Sequence, residues 1–341
     1  MRFGIVFGGQ SYEHEISIVS AITLKDVLKV DIDYIFCDKD REFYLIDGKD
    51  MKATYFSSLS YKKAKKLNLK QGGFYTEGMF SKKVEADTYI NLIHGRDGED
   101  GKFSSLFEFF GIKFIGSQLE AATLSYDKVL TKFLADITGV KTLPYQVLKR
   151  GDSLNLELPV ILKPARLGSS IGIEIVKDKS ELEYALDKAF EYDDIILAEP
   201  FFEGIKEYNW AGCKINGEFK FSMIEEPNKS DEILDFNQKY LSFSGNSKIK
   251  KADISTELET ALQDAFSKIY NYGFEGSIPR CDFFVKDKEV FLNEINTNPG
   301  SLAYYLFDDF KALITNLAKN LPEYDKIAVE YNYIKSISVH K

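Results

Sequence analysis

Polar side chains recur at two-residue spacing near the end of the chain. Arg280 and Asp282 alternate with apolar residues in Arg280-Cys281-Asp282-Phe283-Phe284-Val285, as do Glu294 and Asn296 in Glu289-Val290-Phe291-Leu292-Asn293-Glu294-Ile295-Asn296. A β-strand sends alternate side chains to one face, so each pair shares a surface. With a three-residue connection pairing Lys286 with Val290, Asp282 lies opposite Glu294 and all four polar groups converge. A two-residue connection breaks that parity. Carboxylate and amide oxygens held on a rigid sheet are what Mg²⁺ prefers, its other positions going to water and phosphate. The competing reading is a solvated face of alternating charge. The strongly apolar intervening residues and the Asn-Thr-Asn-Pro-Gly that ends the series disfavour it, and Cys281 falls on the opposite, core-directed face.

A second group is Lys163-Pro164-Ala165-Arg166-Leu167-Gly168-Ser169-Ser170-Ile171-Gly172, a cationic strand end running into small residues, two hydroxyls and exposed amides. In chemical terms this is a phosphate lid, although the glycines alone would also suit a plain hairpin loop. Lys163 follows Pro-Val-Ile-Leu, where burial demands an anionic partner. The Gly8-Gly9 turn offers close backbone approach and helix N-terminal amides to a polar ligand, but tight turns need glycine for structural reasons too. Neither G-x-G-x-x-G nor G-x-x-x-x-G-K-[ST] occurs, which disfavours a dinucleotide dehydrogenase and a P-loop enzyme. His94-Gly95-Arg96-Asp97-Gly98-Glu99-Asp100-Gly101 lacks the calcium-loop pattern and reads as a structured turn, whereas the long polar stretch from Glu225 to Tyr240 has the character of a lid. His14 and His340 have only surface or satisfied-histidine readings.

The elements needed to hold these groups are legible in outline. Phe3 to Phe7 is an apolar run ending at Gly8-Gly9, followed by Ile16, Val19, Ile22 and Leu24 near helical spacing: strand, turn, helix. Further strands at Tyr34–Phe36 and Tyr89–Ile93 make the first part an α/β layer. The lysines 62, 63, 65, 66 and 70 read as a solvated helix face. All eight prolines lie at or after Pro144, a shift that places a module change between Gly116 and Pro144. Strands at Val160–Lys163, Gly172–Val176 and Ile195–Ala198, with a helix opened by a Ser180/Glu183 capping box, form a small antiparallel unit. A helix is expected after Leu302. The chain has 341 residues, 44 Lys+Arg and 53 Asp+Glu, a formal balance of −9 that opposes a nucleic-acid partner. Three widely separated cysteines argue against a disulfide framework and fit a reducing compartment. No secretory signal or membrane-spanning run is seen, so a cytoplasmic protein without nucleic-acid or membrane partners is expected.

Taken in order, these segments resemble the D-alanine:D-alanine ligases of the ATP-grasp superfamily, from Gly4 to about Phe307. Gly8-Gly9-Gln10-Ser11-Tyr12-Glu13-His14-Glu15-Ile16-Ser17 is similar to the family's opening signature, the His94–Gly101 segment to its second, and Asn293-Glu294-Ile295-Asn296-Thr297-Asn298-Pro299-Gly300 to its last. The resemblance implies an α/β (α+β) fold of three domains: a Rossmann-like substrate domain at 1–118, a central ATP-grasp subdomain at 119–202, and a C-terminal ATP-grasp subdomain at 203–341. It implies ATP held by Lys128, Lys163, Ser170, Glu199, Phe201, Phe202, Glu207 and Lys239, and two Mg²⁺ ions, replaceable by Mn²⁺, on Asp282, Glu294 and Asn296. Glu13, His94, Arg280, Gly300, Tyr305 and Leu306 would meet the D-alanine substrates, with Glu13 taking the first ammonium and Arg280 and the Gly300 amide stabilising the oxyanion. Ser169 and Tyr240 would tie the closing loop to Glu13. A homodimer is also implied.

The reaction so implied moves the ATP γ-phosphoryl to one D-alanine carboxylate, and a second D-alanine amine then attacks the acyl phosphate, supplying peptidoglycan precursors. After Pro299-Gly300 the sequence departs from the family pattern: Ser301-Leu302-Ala303-Tyr304-Tyr305-Leu306 puts a bulky phenol where a serine contacts the second substrate. Two alternatives stand beside this reading. One is an ATP-grasp ligase with another acceptor such as D-lactate, against which a tyrosine at position 240 argues. The other is a non-catalytic nucleotide-binding module, which would have no need of Glu13 or Arg280.

Overall fold

The structure, a computed structural model, describes residues 1–227, 250–323 and 327–338; Lys239, Tyr240 and His340 therefore lie outside the described residues. Three sheets carry the chain. The first comprises β1 (Phe3–Gly8), β2 (Ile32–Cys37), β3 (Phe43–Ile46), β4 (Lys65–Lys70), β5 (Gly73–Thr76), β6 (Thr88–Asn91) and β7 (Phe114–Ile115) in the order β5-β4-β3-β2-β1-β6-β7. Strands β2, β1, β6 and β7 run parallel, and β3 to β5 extend the sheet antiparallel. Parallel strands are buried on both faces. Accordingly Phe3, Ile5 and Phe7 pack with Ala21, Leu24 and Leu28 of α1 (His14–Leu28), and with Phe56 of α2 (Ala53–Ser57). On the other side Val6 packs with Phe103 and Phe107 of α3 (Lys102–Phe109). The lysine cluster is divided rather than one helix face: Lys62 and Lys63 end a 3-10 turn, while Lys65, Lys66 and Lys70 lie on β4, where Leu67 and Leu69 turn to the core.

Helices α4 (Leu119–Tyr126) and α5 (Lys128–Thr138) lead out of this layer, Asp127 capping α5 by accepting from the amides of Val129 (2.8 Å) and Leu130 (3.4 Å). The second sheet is antiparallel, β10-β9-β11-β8, built from β8 (Gln146–Leu148), β9 (Val160–Pro164), β10 (Glu174–Val176) and β11 (Ile196–Pro200), with α6 (Leu182–Ala189) on one face. The capping box sits two residues earlier than the sequence indicated: Asp178 and Glu181 form it, around a 3-10 turn that precedes α6. Aspartate accepts from the turn amides as serine would.

The third sheet has the order β13-β12-β14-β15: β12 (Lys206–Ile215), β13 (Glu218–Phe221), β14 (Arg280–Lys286) and β15 (Glu289–Asn296). It is backed by α7 (Thr256–Tyr270), whose Leu262, Phe266 and Ile269 are buried in one cluster with Leu134 and Ala135 of α5. Residues 300–306 form a 3-10 turn rather than the expected helix, which starts only at α8 (Phe310–Ala318); Ser301, Leu302 and Ala303 take left-handed φ of 49°, 55° and 50°. A short α9 (Asn332–Ser338) follows.

The hairpin β14–β15 corrects the sequence reading in one respect and rescues it in another. Its connection has two residues, Asp287 and Lys288, with Lys286 opposite Glu289 and φ of 52° and 66° in the turn. That geometry matches a hairpin turn of the primed type, which suits strand twist. A bulge between Asp282 and Phe283 then absorbs Asn293 as an extra residue, so that Asp282 faces Glu294 and Arg280 faces Asn296 after all.

Candidate active site

Directly opposed residues share a face of a sheet, so the row Asn209–Asp282–Glu294 runs across β12, β14 and β15 with Arg280–Asn296 beside it. Arg280 donates from Nε to Asp282 Oδ1 and from Nη2 to Asp282 Oδ2, each at 2.7 Å, and Asn296 Nδ2 adds a bond to Oδ2 at 3.0 Å. Burial pushes the Asp282 carboxyl up to about 7 although the guanidinium pulls it back. Arg280 stays charged: burial opposes the cation, but Asp282 and then Tyr305 lift it well above its ordinary value. Tyr305 is raised to about 12, burial being the main cause. The phenol thus stands at the guanidinium, and Leu306 is buried with its carbonyl accepting from the Met223 amide at 3.0 Å.

The donor set fits a hard divalent cation: two carboxylates and one amide oxygen on adjacent strands. The Asn209 Oδ1 atom, buried in the same row, has no hydrogen-bond partner. Among the described residues no three His, Cys, Asp or Glu side chains come together as a metal-binding group.

Lys163 finds the anion its burial demands. Its Nζ donates to Glu199 Oε2 at 2.6 Å and to Asn293 Oδ1 at 2.9 Å, so the bulge residue of β15 joins the lysine of β9 to the strand bearing Glu294 and Asn296. The other oxygen of Glu199 accepts from Lys132 on α5. Glu199 is 1% exposed, Lys132 3% and Lys163 6%, so the three form a buried ionic triad. Burial opposes the carboxylate, yet Lys163 and Lys132 together hold its pKa below the ordinary value, while burial lowers that of Lys132. Phe201 and Phe202 follow at the end of β11 and line, with Lys206, Val285 and Lys286, a surface cleft of about 390 Å³. Glu207 sits near the start of β12, opposite Phe284.

Lys128 opens α5 and grips the loop after β9, its Nζ donating to the Leu167 carbonyl at 2.6 Å. In that loop Ser169 and Ser170 hold left-handed φ of 57° and 58°, conformations that cost non-glycine residues energy and cluster at ligand clamps. Ser169 Oγ donates to Glu13 Oε1, joining the loop to the N-terminal sheet. Glu13 is buried at the start of α1. Gly95, at φ +69°, and Gly168 close around it, and a Cβ at either would press on its carboxylate. Tyr12 and Tyr192 make a second contact between the same two parts, edge to face at 5.8 Å.

His94, expected at the substrate, is buried, as Glu13 and Asp282 are. Its Nδ1 donates to the Leu92 carbonyl at 2.8 Å, which leaves Nε2 to accept from Ser20 Oγ at 3.4 Å. Ser20 Oγ in turn accepts from the Ser301 amide at 3.0 Å. Burial lowers the imidazole to about 4, so it is neutral. Glu99 supports the neighbouring turn, its two oxygens accepting from the amides of Gly95 (2.9 Å) and Asn298 (3.0 Å).

Several of the expected residues meet one another: Glu13 with Ser169, Lys163 with Glu199, and Arg280 with Asp282, which also accepts from Asn296; Gly300 stands at the head of the left-handed turn. Lys239 and Tyr240 fall outside the described residues. Lys132 and Ser20 were not foreseen, and Asn293 and Glu99, though part of the quoted segments, were given no role of their own. Lys132 did leave a signal, because it falls with Thr131, Leu134 and Ala135 on the buried face of α5, where a lysine must have a partner.

Two antiparallel four-stranded sheets meeting at a buried lysine and an acidic strand face define the class, the ATP-grasp ligases. Family models described as D-ala D-ala ligase N-terminus and D-ala D-ala ligase C-terminus match residues 2–117 and 136–312. The chain is 59% identical over 339 residues to the D-alanine–D-alanine ligase of Campylobacter concisus (strain 13826), covering 99% of this chain and 98% of that protein. The crystal structure of D-alanine–D-alanine ligase from Helicobacter pylori superposes with a TM-score of 0.85 at 48% identity, covering 95% of this chain and 100% of that one. VanG D-Ala:D-Ser ligase from Enterococcus faecalis follows at TM-score 0.77 and 26% identity, covering 93% and 98%. The chain belongs to the D-alanine–D-alanine ligase family, whose members depend on ATP and a divalent metal.

Proposed function

We propose that this chain joins two D-alanine molecules at the expense of ATP, through an acyl phosphate, with Glu13, Arg280 and the Gly300 amide holding the first substrate and Tyr305 with Leu306 the second. The observation that carries this reading is the bond from Lys163 to Asn293, because it sets a phosphate-binding cation against the strand that holds Glu294 and Asn296. Lys128 and Lys163 take the phosphates, Ser170 lies in the lid over them, and Glu199, Phe201, Phe202 and Glu207 hold adenine and ribose. Asp282, Glu294 and Asn296 would hold two Mg²⁺ ions, which supply charge neutralisation at the phosphates. Residues 1–118, 119–202 and 203–341 act as the substrate, central and C-terminal units.

Both chemical steps gather negative charge, and donors fixed before the reaction stabilise it without reorganising. Arg280 is such a donor, since both oxygens of Asp282 hold its guanidinium along one edge. Ser169 on Glu13 keeps the lid against the N-terminal sheet and excludes the water that would hydrolyse the acyl phosphate. The reaction would take place in the cytoplasm, where ATP is abundant.

The Glu13 carboxylate is the counter-ion for the substrate ammonium, and Arg280 faces the carboxylate being phosphorylated. The D-Ala:D-Ser relative and the bulk of Tyr305 make the second substrate the point to test. Incubation with ATP, Mg²⁺ and D-alanine should release phosphate and D-alanyl-D-alanine in equal amounts. Turnover only when D-serine or D-lactate is added would move the chain to another acceptor, and ADP binding without turnover would leave a regulatory module.

A further inference from the structure

The buried triad has two cations for one carboxylate, and each cation takes a different oxygen of it. Lys163 spans Glu199 and Asn293 and so borders the strand of Glu294 and Asn296. Lys132 lies on the far side of Glu199, its side chain 1% exposed, with the ring of Tyr145 5.6 Å from its Nζ. It also borders a second cavity of about 600 Å³, lined with Phe133, Lys141, Tyr145 and Phe291, but its ammonium is held on Glu199. We propose that Lys132 is a positioning residue: it is the permanent counter-ion of Glu199, and it allows Lys163 to leave that carboxylate for a nucleotide phosphate. This rests on the reading of the cleft as the nucleotide site.

The physics is that of a shared partner. A buried carboxylate stripped of every cation is strongly unfavourable. With Lys132 fixed on Oε1, Lys163 can turn from Oε2 to a phosphate while Glu199 remains ionised and paired. Without Lys132, Lys163 is the only cation on Glu199, and every phosphate contact it makes must be set against an orphaned buried charge. The excess positive charge of the triad also disappears, and with it part of the attraction for an anion.

The test is ADP binding with Mg²⁺ by isothermal titration calorimetry, on the full chain and on Lys132→Met, Glu199→Gln and the double variant, each checked for native circular dichroism. Lys132→Met should weaken ADP about 10- to 100-fold, given that losing one partner of a buried pair is costly. Adding Glu199→Gln should restore affinity to the level of Glu199→Gln alone, because a neutral amide needs no counter-ion and releases Lys163. A lysine with only a structural role predicts a lower urea midpoint for Lys132→Met with ADP affinity unchanged. A Lys132→Met affinity within threefold of wild type, or a double variant no tighter than Lys132→Met, overturns the proposal. Wild-type protein that takes up no ADP refutes the nucleotide reading itself, a separate failure. Lys132→Gln makes the same deletion with a polar side chain should the methionine variant not fold.

Discussion

Replacing Asp282 by asparagine tests the acidic face without changing its shape. The carboxylate receives both arms of Arg280 at 2.7 Å and the Asn296 amide at 3.0 Å, and the Asp282 side chain is only 4% exposed. Breaking a buried ion pair by removing one partner costs about 3–5 kcal/mol. An asparagine oxygen still accepts one arm, and a retained hydrogen bond is worth about 1 kcal/mol, so the net loss should be about 2–4 kcal/mol. The chain has one tryptophan, Trp210, buried on β12 opposite Cys281, on the other face of the same sheet. Its fluorescence therefore reports on the unfolding of this sheet. In urea with EDTA present, the midpoint should fall by about 1–2 M, taking a slope of about 2 kcal/mol/M. Mn²⁺ binding followed by electron paramagnetic resonance should weaken at least about tenfold in the same variant, since a charged oxygen ligand is lost. A midpoint shift below about 0.3 M would show that Arg280 does not depend on Asp282. Unchanged Mn²⁺ binding would remove Asp282 from the metal site.

Two further outcomes follow from contacts across the molecule. Ser169→Ala removes the hydroxyl that donates to Glu13, a charge-assisted bond of about 1.5–3 kcal/mol. It should lower kcat/KM for D-alanine by about tenfold or more, while ADP affinity measured by calorimetry changes little; equal losses in both would mean the serine serves the nucleotide instead. His94 is neutral when buried, with its pKa lowered to about 4, whereas an unfolded histidine titrates near 6.5. The unfolded chain thus binds the extra proton between these values, and stability falls as the pH drops from about 6.5 to about 4, by about 3 kcal/mol at most. Urea midpoints of wild type and His94→Gln across that range should converge on the acid side, and parallel curves would refute the assignment.

Alternation alone placed Arg280 with Asp282 and Glu294 with Asn296, because the two-residue period of a strand is local. The burial of Lys163 and its need for an anion were likewise readable from the apolar run before it. So were the strand–turn–helix opening and the antiparallel middle unit, since hydrophobic period and turn residues are properties of neighbouring positions. The lysine-rich strand was misread because Leu67 and Leu69 are too short a series to separate a period of two from a helical one.

What alternation could not supply was the relation between the two strands. That depends on the Asn293 bulge, whose extra residue undoes the parity change made by the two-residue turn and also gives Lys163 an acceptor. The identity of Lys163's anion, 36 residues away, the presence of Lys132 behind it, and the reach of Ser169 to Glu13 over 156 residues are set by chain packing. A sequence fixes which groups require partners, through the cost of burying them bare. Only the assembled sheets decide which partners stand within 3 Å, because hydrogen bonds and ion pairs act over distances far shorter than the loops that separate these residues along the chain.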